Sequence, residues 1–538
     1  MYFELLRQNM ITLMKKIFLF AAVALTAMSA QAQEVPATGD TYMAAQLSTE
    51  DLNGTARFVG MGGAMDALGA DISTMSTNPA GIGLFRKSYV SGSFGLNVQG
   101  DGKTFGDGSK TNASFDQIGF VAATRVGQLS YVNFGFNFHK SRNFDYVLSA
   151  ANALKGSSQS NQTAFKDMNG LFINNKSLAY SQLDDIYMGN MTLIDDAVYT
   201  YEGHDYEFDR AHTGYIGEYD LNLSGNVNNR FYWGLTVGIH DVHYKGYSEY
   251  FERLNSENVP EVLITDNHKI TGTGYSIKGG IIFRPVEASP FRIGVAVSSP
   301  TFYKLTTENH THIGYGNYDR ERNSASEDFS FRTPWKFSLS AGHTIGQNVA
   351  LGAVYEYANY GTCDMRTIDG YYYDYRSDSR IEESSTDGVM KRHIEQSLKS
   401  VSTLKLGAEF KPDKNIAVRV GYNYISPIYN TSAMRDQTLN SPGVYYASTT
   451  DYTNWKETHR LTFGLGFTFD HFRFDMAYQY QTRKGDFYPF MKQYSASYYE
   501  TDANGVETGN IITETNQCDP VSVKDNRHQL ICTLGYTF

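Results

Sequence analysis

Long hydrophobic runs are missing from most of this 538-residue chain, and positive charge is in deficit. Beyond residue 32, no apolar run approaches the roughly 20 residues that a membrane-spanning helix needs. The formal net charge of −11 argues against a nucleic acid as a partner. Tyrosine and phenylalanine are abundant, with 40 and 33 copies, as is glycine, with 49. This composition fits both a secreted β-protein and a transmembrane β-barrel.

Motifs that carry chemistry are also missing. The sequence contains no nucleophile elbow, no zinc-protease helix and no phosphate loop. The 13 histidines show no convincing metal-site spacing. His310 and His312 lie in a loop without an evident third ligand, and His240 and His243 fit no better. We therefore expect neither an enzyme nor a bound metal or cofactor.

Cysteine is scarce as well, with three copies at Cys363, Cys518 and Cys532. Cys532 falls on the lipid-facing side of the last predicted strand. A disulfide could then join only Cys363 to Cys518, in two different loops, which an oxidising compartment permits. Nothing in the local sequence supports this pair.

The first 32 residues have the features of an export signal. Met14-Lys15-Lys16 precedes an apolar run from Ile17 to Met28, and Ala30-Gln31-Ala32 is a small-x-small cleavage site. The apolar run is too short to cross a bilayer as a helix. We expect cleavage after Ala32, with residues 1–13 lying upstream of the true start. A lipoprotein is not expected, because the residue directly after the cleavage site is not a cysteine.

Strict alternation of apolar and polar residues is clearest near the C-terminus. In 460–470, one face carries Leu461, Phe463, Leu465, Phe467 and Phe469, and the other carries small, polar or charged residues. Segments of about ten residues with aromatics towards their ends are typical of transmembrane β-strands, and they argue against a soluble sandwich. The chain ends on Phe538. This aromatic end resembles the signal by which the barrel assembly machinery recognises its clients.

Fourteen such segments follow residue 86, and an even number is what a single-chain bacterial barrel requires. They are 87–98, 113–125, 128–139, 212–227, 230–242, 271–285, 290–299, 331–344, 348–358, 400–411, 415–425, 458–469, 471–482 and 527–538. Short turns follow the even strands and long polar loops the odd ones, which places the turns in the periplasm and the loops outside. The predicted fold class is all-β: an antiparallel transmembrane barrel over 87–538, surrounded by the lipid of the outer membrane.

The stretch from Gly54 to Phe85 breaks this pattern. It is rich in glycine and alanine and fits neither a strand nor a long amphipathic helix. Asn78-Pro79 marks a turn, and Ala80-Gly81 follows it. We predict a compact, irregular plug with little side-chain bulk. A surface loop is the alternative, whereas a nucleotide-binding loop is disfavoured because the third glycine and a leading strand are missing.

The glycine-rich stretch resembles the N-terminal hatch of the FadL/TodX family of outer-membrane transporters of hydrophobic compounds. The resemblance rests on Gly60, Gly62, Gly63, Ala64, Asp71 and the run Asn78-Pro79-Ala80-Gly81. For the barrel it covers the architecture only. It implies a fourteen-strand barrel plugged by residues 33–86, with Asn78, Pro79, Ala80 and Gly81 serving in gating. It also implies that outer loops capture the ligand and pass it to a pocket near the hatch.

Gly135 lies in the middle of the third predicted strand, between Asn133 and Asn137. A glycine inside a strand often marks a bulge or a kink. In the family that the hatch resembles, a kink in this strand opens the wall sideways, so the resemblance makes Gly135 the candidate for a lateral gate. The alternative is an ordinary wall glycine, because nearly every strand here has one.

Charged residues occupy inward-facing positions, where they avoid the roughly 2–4 kcal/mol that each would cost against mid-bilayer lipid. They are Lys278, Arg284, Arg292, Lys336, Glu356, Lys405, Glu409, Arg419, Arg473 and Asp475. They form either a network that pins the hatch to the barrel or a site in which one or two cations meet the carboxylate of an amphipathic ligand.

Two functions fit these predictions. The first, implied by the resemblance, is passive uptake of hydrophobic or amphipathic small molecules, such as long-chain fatty acids, with lateral exit. The second is a docking or secretion-shuttle role for an exported protein partner, which the tyrosine-rich stretches 370–376 and 494–500 would suit. Packing over the barrel mouth is a simpler role for those stretches. A plain porin is disfavoured by the hatch.

Overall fold

The computed structural model describes residues 37–168, 181–190, 193–194, 197–198, 202–257, 259–315, 321–376, 378–492, 495–501 and 507–538. The export signal expected in residues 1–32 lies outside these ranges. No helix in the described ranges is both long enough and apolar enough to cross a bilayer.

Fourteen antiparallel strands form a single wall. They are β1 Tyr89–Gln99, β2 Thr111–Arg125, β3 Tyr131–Asn143, β4 Gly203–Val227, β5 Phe231–Leu254, β6 Glu261–Phe283, β7 Arg292–Ser298, β8 Lys336–Ile345, β9 Val349–Asn359, β10 Ser400–Asp413, β11 Ile416–Ile425, β12 Tyr452–Phe469, β13 Phe472–Tyr488 and β14 Val521–Thr537. Each corresponds to one of the fourteen predicted strands.

The wall closes on itself. β1 pairs with β2 on one side and with β14 on the other, from Tyr89 opposite Thr537 to Gln99 opposite Arg527. The remaining strands pair with their neighbours in chain order. The predicted fold class, a closed fourteen-strand antiparallel β-barrel, is therefore confirmed.

The outer face of the barrel is apolar. On β12, Leu461, Phe463 and Leu465 are 44%, 54% and 45% exposed, whereas the intervening Thr462 is completely buried. Every one of the fourteen strands carries at least one large apolar side chain exposed in this way. A continuous apolar band of this size around a closed barrel needs lipid to cover it. The molecule is thus a β-barrel of the outer-membrane type.

The two ends of the barrel differ. At one end the strands join through short turns, such as Asn228-Asn229, where both residues have a φ of 52°. At the other end, β4, β5 and β6 reach 25, 24 and 23 residues. About ten residues cross the bilayer, so these strands stand well above the membrane. The predicted outer ends, at 212, 242 and 271, were therefore wrong, because beyond the bilayer the outward face meets water and the apolar alternation no longer holds.

The inner segment, residues 37–86, lies within the barrel. It contains α1 Thr41–Ser48, α2 Ala56–Gly60 and two 3₁₀ turns, Ile72–Met75 and Pro79–Leu84. About three quarters of its residues are buried. It bonds to different strands of the wall: the Ala56 N–H donates to Thr533 Oγ1 on β14 at 2.7 Å, and Asn133 Nδ2 on β3 donates to the Ile82 carbonyl at 2.7 Å.

The long polar loops fold into a dome over one end of the barrel. Its helices are α3 Ser160–Met168, α4 Gln182–Asn190, α5 Gly388–Ser397 and α6 Pro442–Tyr445, with a 3₁₀ turn at Tyr360–Thr362. Its strands are Tyr146–Ala153, Leu193–Ile194, Ala197–Val198, Phe302–Tyr315, Glu321–Arg332, Asp364–Asp374, Ser379–Thr386, Ser495–Thr501 and Glu507–Thr515. Several of these strands pair with the upper parts of the wall and extend its sheet.

Candidate functional site: the inner segment and the lumen

Each helical turn of the inner segment begins at a side chain that caps it. Asp40, Thr55, Asp71 and Asn78 each accept a hydrogen bond, between 2.7 and 3.2 Å long, from a backbone N–H in the turn that follows. Such caps satisfy backbone donors that a short helix leaves free, and each contributes about 1 kcal/mol. The Thr55 hydroxyl also donates to Asp71 at 2.8 Å. These bonds give the irregular chain a defined shape.

The Asn78-Pro79-Ala80-Gly81 turn lies against the wall near the short-turn end of the barrel. Asn78 and Ala80 are completely buried. Asn222 on β4 donates from Nδ2 to the Pro79 carbonyl at 3.4 Å. The Gly81 N–H donates a hydrogen bond to the Asn78 carbonyl at 2.9 Å and so closes the turn. The four residues singled out in the sequence therefore form one structural unit at the lumen wall.

Inward-facing glycines of the wall let the inner segment lie directly on the wall backbone. A Cβ at Gly234 on β5 would come within 2.3 Å of the Pro79 carbonyl carbon. A Cβ at Gly352 on β9 would lie 1.9 Å from the Ala64 oxygen, and one at Gly407 on β10 would lie 2.3 Å from the Met61 oxygen. Sequence analysis noted the abundance of wall glycine without assigning this role. These glycines all fall on the inward-facing side of the predicted alternation, and this was the feature of the sequence that could have revealed their role.

Gly135 serves the same purpose on β3. It pairs with Val121 on β2 and with Asn222 on β4, and both ladders run through it without a change of register. The register shift on this side of β3 lies at Lys140 and Arg142. A Cβ at Gly135 would fall 2.1 Å from Met75 Cε. Neither ladder has a bulge at Gly135, and the glycine makes room for Met75. Its role in a lateral gate stays a prediction.

Ion pairs join the inner segment to the wall. Arg57 lies 3.4 Å from Glu409 on β10, and Glu409 also pairs with Arg419 at 2.7 Å. Glu50 pairs with Lys336 on β8 at 2.7 Å. In addition, Arg292 donates to the Leu68 carbonyl at 3.1 Å. The predicted network that pins this segment to the barrel is confirmed.

Other inward charges pair within the wall. Arg419 and Arg473 both contact Asp475, at 2.8 and 2.7 Å. Lys405 pairs with Glu356 at 2.5 Å. Arg284 instead donates to backbone carbonyls of the adjoining turn, at the rim of the barrel. The lumen is thus cross-linked by charge around most of its circumference.

A cavity of about 170 Å³ lies between the inner segment and the wall. It is bordered by residues 49–53 and by charged wall residues that include Arg142, Lys336 and Arg460. Pockets for drug-sized ligands usually measure about 300–1,000 Å³ and are mainly apolar. This space is smaller and is bordered by many charged side chains, so it does not accommodate a large apolar solute in this state.

An apolar chamber lies on the dome side of this cavity, and α1 fills it. The α1 residues Ala44, Ala45 and Leu47 are almost fully buried. They belong to one cluster with residues of the upper wall and the dome, including Phe144, Ile216, Val242, Ile270, Leu305 and Phe331. We call this space the α1 chamber.

The start of the inner segment bonds to the dome. Asp387 accepts hydrogen bonds from Thr38 at 3.0 Å and from Ser441 at 2.6 Å through the same oxygen. Its other oxygen caps α5. Asp40 pairs with Arg435 at 2.8 Å. Sequence analysis missed this latch, because its partners lie about 350 residues apart in the chain.

Cys363 lies beside α1 in the same chamber. Its Sγ is 3.3 Å from Ser48 Oγ and the residue is completely buried. Burial raises the pKa of this thiol to about 12. The disulfide with Cys518 that the sequence left open is not formed, since both thiols are free and belong to different clusters.

These features define a closed transmembrane β-barrel whose lumen is sealed from within by its own N-terminal segment. No family model and no curated protein sequence matches the chain. The fold is similar to the crystal structure of a Pseudomonas aeruginosa FadL homologue, at 13% identity and a TM-score of 0.49, over 91% of this chain and 100% of that one. It is also similar to the toluene transporters TodX of Pseudomonas putida and TbuX of Ralstonia pickettii. Both are 12% identical with a TM-score of 0.46, over 91% and 90% of this chain and 99% of each of theirs. Such low identities and TM-scores indicate a likeness of fold and assign no function to this chain.

Proposed function

We propose that the protein takes up hydrophobic or amphipathic small molecules, such as long-chain fatty acids, across the outer membrane. In this proposal the inner segment is a movable hatch. The observation that carries the proposal is the α1 chamber: an apolar space inside the barrel, filled by a short helix that no covalent cross-link among the described residues holds in place. A ligand that replaces α1 would find an apolar lining already formed.

The burial energies of the two occupants are comparable. An eight-residue helix is too short to be stable by itself, so α1 depends on its contacts in the chamber. Burial of Leu47 contributes about 1.5–3 kcal/mol, and the buried Tyr42, Ala44 and Ala45 add to this. A fatty acyl chain gains about 0.8 kcal/mol for each buried CH₂, so about ten methylene groups would gain about 8 kcal/mol, which is of the same order as the contacts of α1 that they replace.

Arg435 is positioned to discriminate among ligands. It pairs with Asp40 at the first turn of α1, and its guanidinium lies over the Tyr42 ring, 5.4 Å from the centroid. Displacement of α1 would remove Asp40 and leave Arg435 without this carboxylate. We propose that the carboxylate of an amphipathic ligand takes its place, since guanidinium and carboxylate groups match in charge and geometry.

The exit is proposed to be lateral, beside Gly135. Met75 covers this glycine from within. Withdrawal of Met75 would leave a stretch of wall without an inward side chain. The ladders to β2 and β4 are intact here, so exit requires that one of them opens. A lateral path would release apolar cargo into lipid without a passage through the water of a pore.

Mass spectrometry of compounds that co-purify with the barrel in mild detergent tests the uptake proposal. We expect a fatty acid or another apolar compound, and we expect it to be lost when Asn78-Pro79-Ala80 is replaced by a Gly-Ser linker. Replacement of Arg435 by methionine should weaken binding of a fatty acid more than binding of an uncharged hydrocarbon. The exposed Arg380 provides the control substitution. An empty barrel that holds a stoichiometric protein would refute uptake.

Cross-strand disulfides test the lateral exit. Opposed residues in antiparallel strands lie about 4.5–5.5 Å apart at Cα, within the range that a disulfide spans. Each disulfide staple is made by replacing two opposed residues with cysteine. One staple joins positions Ala122 and Phe134, across β2 and β3, and another joins positions Phe136 and Leu221, across β3 and β4. One of them should block uptake until it is reduced. A staple between Leu406 and Tyr422, on another part of the wall, should not. Unimpaired uptake with both β3 staples closed would contradict the lateral path.

A docking role for an exported protein is the second candidate, favoured by one exposed hairpin of the dome. Its strands are Asp364–Asp374 and Ser379–Thr386. At its tip, Tyr372, Tyr373 and Tyr375 are 48%, 47% and 88% exposed. The other tyrosine-rich stretch, 494–500, has no described side chains. Deletion of the hairpin tip should abolish export of a partner and preserve lipid uptake if docking is the function.

A further inference from the structure

A group of buried titratable side chains lies on four adjacent strands and takes no part in the latch or in the seating of the inner segment. It consists of His139 on β3, Glu218 and Asp220 on β4, His240 on β5 and Lys278 on β6. All five face the lumen side of the wall, and none is more than 6% exposed. Spacing in the sequence could not reveal this group, because the strands bring residues together from over a hundred positions apart.

Glu218 lies at the centre of the group. Its Oε2 is 3.7 Å from His139 Nε2 and 3.8 Å from His240 Nδ1. Its other oxygen is held by the Lys278 ammonium. One carboxylate oxygen therefore faces two imidazole nitrogens, while the lysine occupies the opposite side. His139, Glu218 and Asp220 also have ligand atoms within 4.8 Å of one another.

Two features of this group call for a further cation. Two carboxylates face one ammonium, so with both histidines neutral the group balances its charge only when it takes up a proton or a further cation. Moreover, both oxygens of the completely buried Asp220 lack a hydrogen-bond partner, as does Nδ1 of His240. Polar atoms left unsatisfied at such depth cost free energy, and a cation bound beside them would offset that cost.

We propose that His139 Nε2, His240 Nδ1 and Glu218 Oε2 bind a divalent transition-metal ion such as Zn²⁺. Two imidazoles and one carboxylate are a ligand set that such ions prefer. With metal–ligand bonds of about 2.0–2.1 Å, the ligand atoms of a tetrahedral site lie about 3.3 Å apart. Glu218 Oε2 lies within about half an ångström of this separation from each of the two nitrogens. The site is completed when the two imidazole rings turn towards each other about this oxygen.

The surroundings match those of histidine ligands in metal sites, whose second ring nitrogen is held by an oxygen acceptor. The Nε2 of His240 lies 2.9 Å from Ser276 Oγ. The Nδ1 of His139 lies 3.6 Å from Asp220 and 3.3 Å from the Asn137 amide. In the metal-bound form, Nδ1 carries a proton and turns towards Asp220, because the Asn137 amide oxygen already accepts from Gln117 at 3.0 Å.

An access route is present as well. His139 lines the 170 Å³ lumen cavity together with Glu50 and Lys336, the ion pair that ties the inner segment to β8. The proposed ion would enter from this cavity and add a positive charge beside that pair. The inference does not depend on the identity of any transported compound, so it can fail without affecting the proposed uptake.

Cobalt and zinc titrations of the purified barrel test the site. The protein is stripped with a chelator in mild detergent, and Co²⁺ is added while its visible ligand-field absorption is recorded. We expect one Co²⁺ per chain, which Zn²⁺ displaces. His139→Ala, His240→Ala and the isosteric Glu218→Gln should each remove stoichiometric binding. Ser276→Ala, which alters only the support of His240, should weaken binding by on the order of 10-fold.

His268→Ala is the matched control, because this histidine on β6 contacts Thr307 and lies outside the group. It should leave Co²⁺ binding unchanged. Heat-modifiable migration shows which variants retain a folded barrel, and Glu218→Gln and Ser276→Ala are the least disruptive of them. The proposal is overturned if the folded wild-type barrel binds neither Co²⁺ nor Zn²⁺ stoichiometrically. Equal binding by the wild type and folded Glu218→Gln would overturn it too.

Discussion

Replacement of Gly234 by alanine tests how the inner segment is seated. The added Cβ would lie 2.3 Å from the Pro79 carbonyl carbon and 2.5 Å from the Ala80 nitrogen. Ordinary contact begins at 3.4 Å, so the Pro79–Ala80 peptide must retreat by at least 3.4 − 2.3 = 1.1 Å. These are backbone atoms, and a side-chain rotation cannot relieve the collision.

The cost follows from this displacement. Overpacking of a well-packed site costs about 1–3 kcal/mol. Because the wall strands keep their own ladders, we expect the cost to fall on the seating of the inner segment and not on the barrel. A change of about 1–3 kcal/mol shifts that equilibrium by roughly 5- to 150-fold towards the unseated state. Gly352→Ala, with a Cβ only 1.9 Å from the Ala64 oxygen, should act at least as strongly.

Limited proteolysis and single-channel conductance measure the effect. Gly234→Ala should expose residues 54–86 to protease and raise the frequency of conducting events. Gly279→Ala is the matched control, because it lies beside Gly280 on the neighbouring strand β6 and its Cβ would meet no atom within 4 Å. If Gly234→Ala and Gly279→Ala behave alike in both assays, the wall glycines do not seat the inner segment.

Two further substitutions probe the ion pairs and the latch. Arg419→Met removes one buried partner from both Glu409 and Asp475. It should lower the free energy of unfolding by about 3 kcal/mol. This is the lower end of the range for a broken buried ion pair, because Arg57 and Arg473 still contact the two carboxylates. Urea unfolding measures this loss, and an equal effect of Met at the exposed Arg230 would contradict it. Asp387→Ala removes the α5 cap, worth about 1 kcal/mol, together with the bonds to Thr38 and Ser441. It should speed proteolysis within 388–397, and an unchanged rate would show that the latch does not hold the dome.

The wall of the barrel was predictable because lipid and lumen impose opposite demands on alternate residues. That demand fixes the register of β12, where Leu461 and Phe463 face out and Thr462 faces in. This demand ends at the membrane surface, and there the prediction of the strand ends failed. The strands β4, β5 and β6 continue far beyond the predicted limits. Above the bilayer, both faces of these strands meet protein or water, so no simple period remains.

The candidate site was predictable only in part. Asn78-Pro79-Ala80-Gly81 could be singled out because the turn is a local property of the chain. The latch at Asp387 and the group around Glu218 could not, since each depends on strands that are distant in sequence and adjacent only in the closed barrel. The resemblance made Gly135 the candidate for a kink, with an ordinary wall glycine as the alternative. The contact with Met75 that explains it is tertiary.

The accessibility of Cys363 tests the central claim, that the inner segment is a movable hatch, most directly. With Cys518 and Cys532 replaced by serine, Cys363 is the single thiol, completely buried beside Ser48. We predict that a maleimide does not label it in the ligand-free barrel. Addition of a long-chain fatty acid should make it reactive, as should deletion of residues 37–48, which provides the positive control. If Cys363 stays protected while the barrel binds and transports the fatty acid, α1 does not leave its chamber, and the hatch account is wrong.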